Sequence, residues 1–210
     1  MVAAAVAGII GPVAFAAVVV IHAAIRPDYS HVTSVVSALA AGPTGWIQNA
    51  NFIGFGLLLI LYAVGLHRGV RPPGMFGPTL LAASGLALMG AGFFPATDAS
   101  GAFQSEGVPA HTITSVLTFL TSGIGLIVLS RRMSLDPNWS SHARFALLIG
   151  ITVLALLVAF ATLAGAPTSL LFPWQGLVQR VLIIVWLAST FMLSLQLSRV
   201  ARRDQNGSQA

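Results

Sequence analysis

A chain of 210 residues that is 56% hydrophobic and only 7% charged cannot cover itself with a water-compatible surface, since soluble domains carry about a quarter charged residues. Composition alone therefore reads as one integral membrane domain. All ten basic residues are arginine, the net charge is +5 and cysteine is absent, which excludes disulfides, thiolate catalysis, iron–sulfur clusters and thiolate zinc sites. With no basic stripe or aromatic platform beside the arginines, no nucleic-acid partner is expected.

A spanning helix needs about 20 mostly apolar residues. Six stretches qualify: 2–25, 47–66, 76–94, 109–129, 145–164 and 175–197. Backbone groups in lipid must be bonded within their own segment, so these are helices. The fold class is an all-α membrane protein. It is a six-transmembrane-helix bundle with a short amphipathic outer helix between the first and second spans. The first stretch lacks the basic start of a signal peptide and has a longer apolar run, so it is expected to be a retained span. Residues 1–200 form one domain, and 201–210 are expected to be a disordered cytoplasmic tail.

Arginine asymmetry orients the bundle. Arg68, Arg71, Arg131, Arg132, Arg144, Arg199, Arg202 and Arg203 share one side if there are six spans. By the positive-inside rule that side, with both termini, is cytoplasmic.

After the first span comes RPDYSHVTSVVSALAAGPTGW, residues 26–46. Val32, Val35, Val36 and Leu39 have the spacing of one helical face, with Ser30, Ser34 and Ser37 on another. Asp28 or Ser30 can cap it, and Gly42-Pro43 stops it. The spacing predicts a short amphipathic helix at the outer boundary, or a lid re-entering the bundle.

Ionisable and amide side chains at membrane depth are costly, by about 2.5–3.5 kcal/mol for a charge at mid-helix. Here they collect at the outer ends of spans. His22 ends the first, Asn49 and Asn51 begin the second, and Asp98 follows the third. His111 starts the fourth, and Gln175, Gln179 and Arg180 start the sixth. On the fourth span His111, Ser115, Thr118 and Ser122 share one face, which reads as helix packing or as the wall of a polar cavity. Arg180 lies roughly 9 Å into its helix at 1.5 Å per residue. It can snorkel to headgroups, pair with Asp98 or Glu106, or anchor an anion. Trp46, Trp174 and Tyr29 near the outer boundary and Trp139 near the inner one have aromatic-belt spacing.

Several segments carry a resemblance. SALAAGPTGWIQNANFIGFGLLLILYAVGLHR (37–68), FFPATDAS (93–100), His111 and GLVQR (176–180) resemble the domain of unknown function 998 family of multi-pass bacterial membrane proteins. The resemblance implies six helices and a bacterial inner membrane. It implies no named activity.

Three functions fit these residues. The first is an outward-facing polar cavity that binds a lipid headgroup or small anionic ligand, bounded by Asp28, Tyr29, His31, Ser34, Asn51, Asp98, His111, Ser115 and Arg180. The second is a membrane-embedded hydrolase or transferase acting on lipid, with or without a metal. Asp28, His31, Asp98 and His111 are its potential ligands, although no local metal-binding spacing joins them. The third is a structural or accessory subunit whose polar groups serve helix packing. The cofactor is left unknown, and haem between His22 and His111 is the remaining candidate. The partners expected are membrane lipids.

Overall fold

The computed structural model describes residues 1–94 and 110–207. Among them are six α-helices: α1 (Val2–Ala24), α2 (Gly45–Gly69), α3 (Phe76–Phe93), α4 (Ala110–Met133), α5 (Ser140–Ala164) and α6 (Gln175–Gly207). All six are long and apolar enough to cross a membrane. Each packs on its neighbours in chain order, and α6 closes the ring against α1 and α5. Two ends result: an arginine-rich end holding the start of α1 and the end of α6, and a cap end holding residues 25–44.

The hydrophobic effect does not drive helices together in lipid, so close approach must do so. Reciprocal glycines provide it. A β-carbon on Gly56 would stand 2.5 Å from the carbonyl oxygen of Gly85, and one on Gly85 would stand 2.6 Å from that of Gly56. Gly123 and Gly150 repeat the arrangement between α4 and α5. Gly85→Val forces α2 from α3 and is expected to cost about 1–3 kcal/mol, read as a lower melting temperature in detergent. An unchanged melting temperature would refute the tight crossing.

Four details differ from expectation. First, the cap is not an α-helix. It runs through turns into a short 3-10 helix, Val36–Ala40. The reason lies in its backbone partners. The carbonyls of Val32 and Ser34 accept from α6, and the Val36 N–H donates to α6, so these groups are taken out of any local ladder. Val35, Val36 and Leu39 do turn inward, but Val32 is exposed.

Second, α4 runs on to Met133 and α5 starts at Ser140, because polar residues on an outward face do not interrupt backbone bonding. Third, α6 continues through residues 201–207, which were expected to be disordered. Val200 and Ala201 are buried and hold this extension to the bundle. Residues 208–210 lie outside the described residues.

Fourth, Trp139 does not sit in a belt. It is fully buried, and its indole donates to the Gly69 carbonyl at 2.8 Å. It belongs to a knot at the arginine-rich end. There the buried Asp136 carboxylate accepts the backbone N–H groups of Arg71 (2.6 Å) and Asn138 (2.8 Å). The Arg132 guanidinium donates to the carbonyls of Val70, Pro72 and Gly74.

Candidate functional site

The site is at the cap end and is assembled from the cap and every helix but α5. α1 ends in His22, whose Nε2 lies 3.0 Å from the Thr44 hydroxyl, tying the two ends of the cap together. Just past α1, the Arg26 guanidinium donates to the carbonyls of Ala41 (2.8 Å) and Ala38 (3.3 Å) and to Asp28 (3.2 Å). Gly42 adopts φ +79°, a left-handed turn that glycine takes without steric cost, and the chain then re-enters as α2.

α6 holds the cap from the opposite side. The Leu177 N–H, an otherwise unbonded donor of the first helical turn, donates to the Val32 carbonyl at 3.1 Å. Gln179 Oε1 accepts the Val36 N–H at 2.5 Å. The Arg180 guanidinium donates to the Ser34 carbonyl at 2.7 Å, to the Gly176 carbonyl at 2.9 Å and to the Tyr29 hydroxyl. The Tyr29 hydroxyl donates in turn to the Val35 carbonyl at 3.2 Å, and its ring centre lies 5.3 Å from the Arg180 guanidinium carbon. Burial pushes the Tyr29 phenol up, against the opposing pull of Arg180, so it stays a protonated donor at neutral pH. The bond from Arg26 holds the exposed Asp28 carboxyl below its ordinary range, so at neutral pH the pair is an ionised one.

Beneath the cap lies a chamber of about 30 Å³, room for roughly two water molecules. The aromatic part of its wall is Phe15, Phe52, Phe119 and Trp186, and the polar part is Ser37, Ser115, Thr118 and Gln179. Trp186 is pinned by its indole N–H on the Ser122 hydroxyl at 2.8 Å and by edge contacts with Phe55 and Phe119.

The candidate residues are dispersed around this end. Ser115 lines the chamber, whereas Arg180 and Tyr29 are bonded to the cap above it and are not part of its wall. His111 is buried beside the wall. Its ring lies against Phe52, and its Nδ1 is within 3.0 Å of the Ala91 carbonyl and 2.9 Å of that of Phe94.

Asp28 and His31 lie on the outer surface, Asp28 on Arg26 and His31 edge-on to Tyr29. The Ser34 hydroxyl accepts from the Ser30 N–H, so its carbonyl, not its side chain, faces α6. Asn51 sits on the α1–α2 seam, donating to the Phe15 carbonyl at 3.2 Å. Asp98 and Glu106 lie outside the described residues. Among the described residues no three acids or histidines gather as metal ligands.

Sequence reasoning missed Trp186, noted Ser37 and Gln179 as polar positions without placing them in the site, and met Gly176 only within GLVQR. A tryptophan in the middle of a span, away from either boundary, is the signal that marks Trp186. Gly176 is needed because its β-carbon would stand 2.5 Å from the Ser34 carbonyl oxygen and 2.7 Å from that of Val32. Thus the SALA, GPTGW and GLVQR segments meet: the first forms the 3-10 turn, the second the cap's return, and the third its anchor on α6.

These features define a helical, multi-pass membrane protein with a strapped cap over a small amphiphilic chamber. The chain matches, over residues 9–196, the family described as Protein of unknown function (DUF998), and it belongs to that family. No curated protein and no solved structure matches it.

Proposed function

We propose that this protein is a binding module of the bacterial inner membrane, with its arginine-rich end in the cytoplasm and its cap outside. Its ligand is the headgroup of an anionic lipid or a small anion, taken at Arg180, and the cap is the lid of the site. One observation carries this reading. Arg180 is half-buried, and no carboxylate neutralises it among the described residues. Its observed partners are two carbonyls and a phenol, which are neutral dipoles. A phosphate or carboxylate matches a guanidinium better than a carbonyl does, and it would replace the Ser34 bond. Loss of that bond removes one of the ties that hold the cap on α6, and the aromatic wall below accepts apolar surface. In the closed form the chamber is too small for a lipid, so occupancy requires the lid to move.

Native mass spectrometry of the purified protein with short-chain phosphatidylglycerol tests this. Wild type is expected to retain one lipid, and Arg180→Gln is expected to bind at least ~10-fold more weakly, since charge-assisted hydrogen bonds are worth about 1.5–3 kcal/mol. Equal affinity in a variant that melts like wild type would sink the proposal.

A further inference from the structure

His111 is 7% exposed, and its two nitrogens have different surroundings. Nδ1 faces two carbonyl oxygens, those of Ala91 at 3.0 Å and Phe94 at 2.9 Å. Carbonyls only accept, so Nδ1 carries the proton. In the neutral ring Nε2 is then a bare lone pair. It is buried and has no hydrogen-bond partner among the described residues. An acceptor in that position is costly to leave unmade, and it calls for a donor that arrives from elsewhere.

His111 is not itself part of the chamber wall but lies directly behind it, so a donor would reach Nε2 from the chamber once the wall gives way. Phe52, whose ring packs on His111, and Ala91, whose carbonyl holds it, both line the chamber. Ser115, one turn along the same face of α4, lines it too. The α3 carbonyls orient the imidazole as a second shell orients a ligating histidine, fixing the tautomer and leaving the other nitrogen for a guest.

We propose that His111 is the specificity-determining residue of the chamber, and that the ligand is an anionic phosphoester bearing a free hydroxyl, which donates to Nε2 while the anion meets Arg180. This rests on the reading of Arg180 as the anion anchor. The hydroxyl adds discrimination: a site built around a hydrogen bond rejects the analogue that lacks it more strongly than an apolar pocket can.

The test compares dilauroyl phosphatidylglycerol, which has hydroxyls, with dilauroyl phosphatidylmethanol, which has the same charge and none. Wild type is expected to prefer the former by roughly 10-fold. His111→Asn keeps an N–H for the Ala91 and Phe94 carbonyls and removes the Nε2 acceptor, so it is expected to bind both lipids equally. Water-soluble glycerol phosphate and methyl phosphate form the second pair. A preference in that pair as well assigns the ligand to free solutes, and a preference confined to the lipids assigns it to the membrane; both support the hydroxyl assignment. Equal binding of both members of each pair by wild type overturns it while leaving the anion reading intact. A wild-type preference that survives in His111→Asn overturns the role of His111. If no probe binds wild type at all, the anion reading fails with it. The wild-type comparison needs no variant, so it decides even if His111→Asn does not fold.

Discussion

Asp136→Ala is expected to destabilise the folded protein by about 3–5 kcal/mol, the largest effect of any single substitution outside the cap. The carboxylate is 2% exposed and accepts two backbone N–H groups, from Arg71 at 2.6 Å and Asn138 at 2.8 Å. Hydrogen bonds to a charged acceptor contribute about 1.5–3 kcal/mol each, and alanine leaves both donors without it. The loss spreads, because the side chain fixes the turn that leads into α5. The Asp136 carbonyl accepts the N–H groups of Trp139 and Ser140, and Trp139 in turn reaches back to Gly69 at the end of α2. One side chain thus pins the α2–α3 loop to the α4–α5 loop. Asp136→Asn is expected to lose roughly half as much, since the amide keeps one oxygen and turns an NH₂ towards the second donor. Thermal unfolding in detergent, followed by circular dichroism, measures both. Wild-type stability in Asp136→Ala would show that the knot contributes nothing.

The six spans were legible because each needs only its own apolar run, and lipid permits few other structures. The inward face of α4 was legible for a similar reason. His111, Thr118 and Ser122 are buried as their spacing indicates. The cap was misread at the same level of reasoning. Its valines and leucine have helical spacing, yet three of the four are satisfied by facing inward from turns and a 3-10 segment. What decides the backbone there is the first turn of α6, some 140 residues away, and periodicity carries no information about such a partner.

Arg180 illustrates the other limit. Its residue type and depth marked it as unusual, but two of its three observed partners are the carbonyls of Ser34 and Gly176, a group that every residue has. Side-chain chemistry can be read along a sequence, whereas backbone acceptors have no letter of their own. Trp139 failed for a simpler reason. Boundary tryptophans usually face lipid headgroups, and nothing in DPNW states that the Gly69 carbonyl waits within reach of this one.

The cap makes the sharpest prediction. Gly176→Ala is expected to detach residues 32–36 from α6 while leaving the six spans assembled. The added methyl would stand 2.5 Å from the Ser34 carbonyl oxygen and 2.7 Å from that of Val32. Both are backbone atoms, so no side chain can swing aside, and the cap itself must withdraw. Withdrawal breaks the Leu177 N–H bond to Val32, the Val36 N–H bond to Gln179 and the Arg180 bond to Ser34. The Val36 and Leu177 amides are then expected to exchange about 10²-fold faster, with amides in α2 and α4 unchanged, because local opening is read at the bonds it breaks. Gly54→Ala is the control, since a β-carbon there meets nothing within 4 Å. If Gly176→Ala protects Val36 as well as wild type does, the cap is not seated on α6 through this glycine, and its claim to be a lid goes with it.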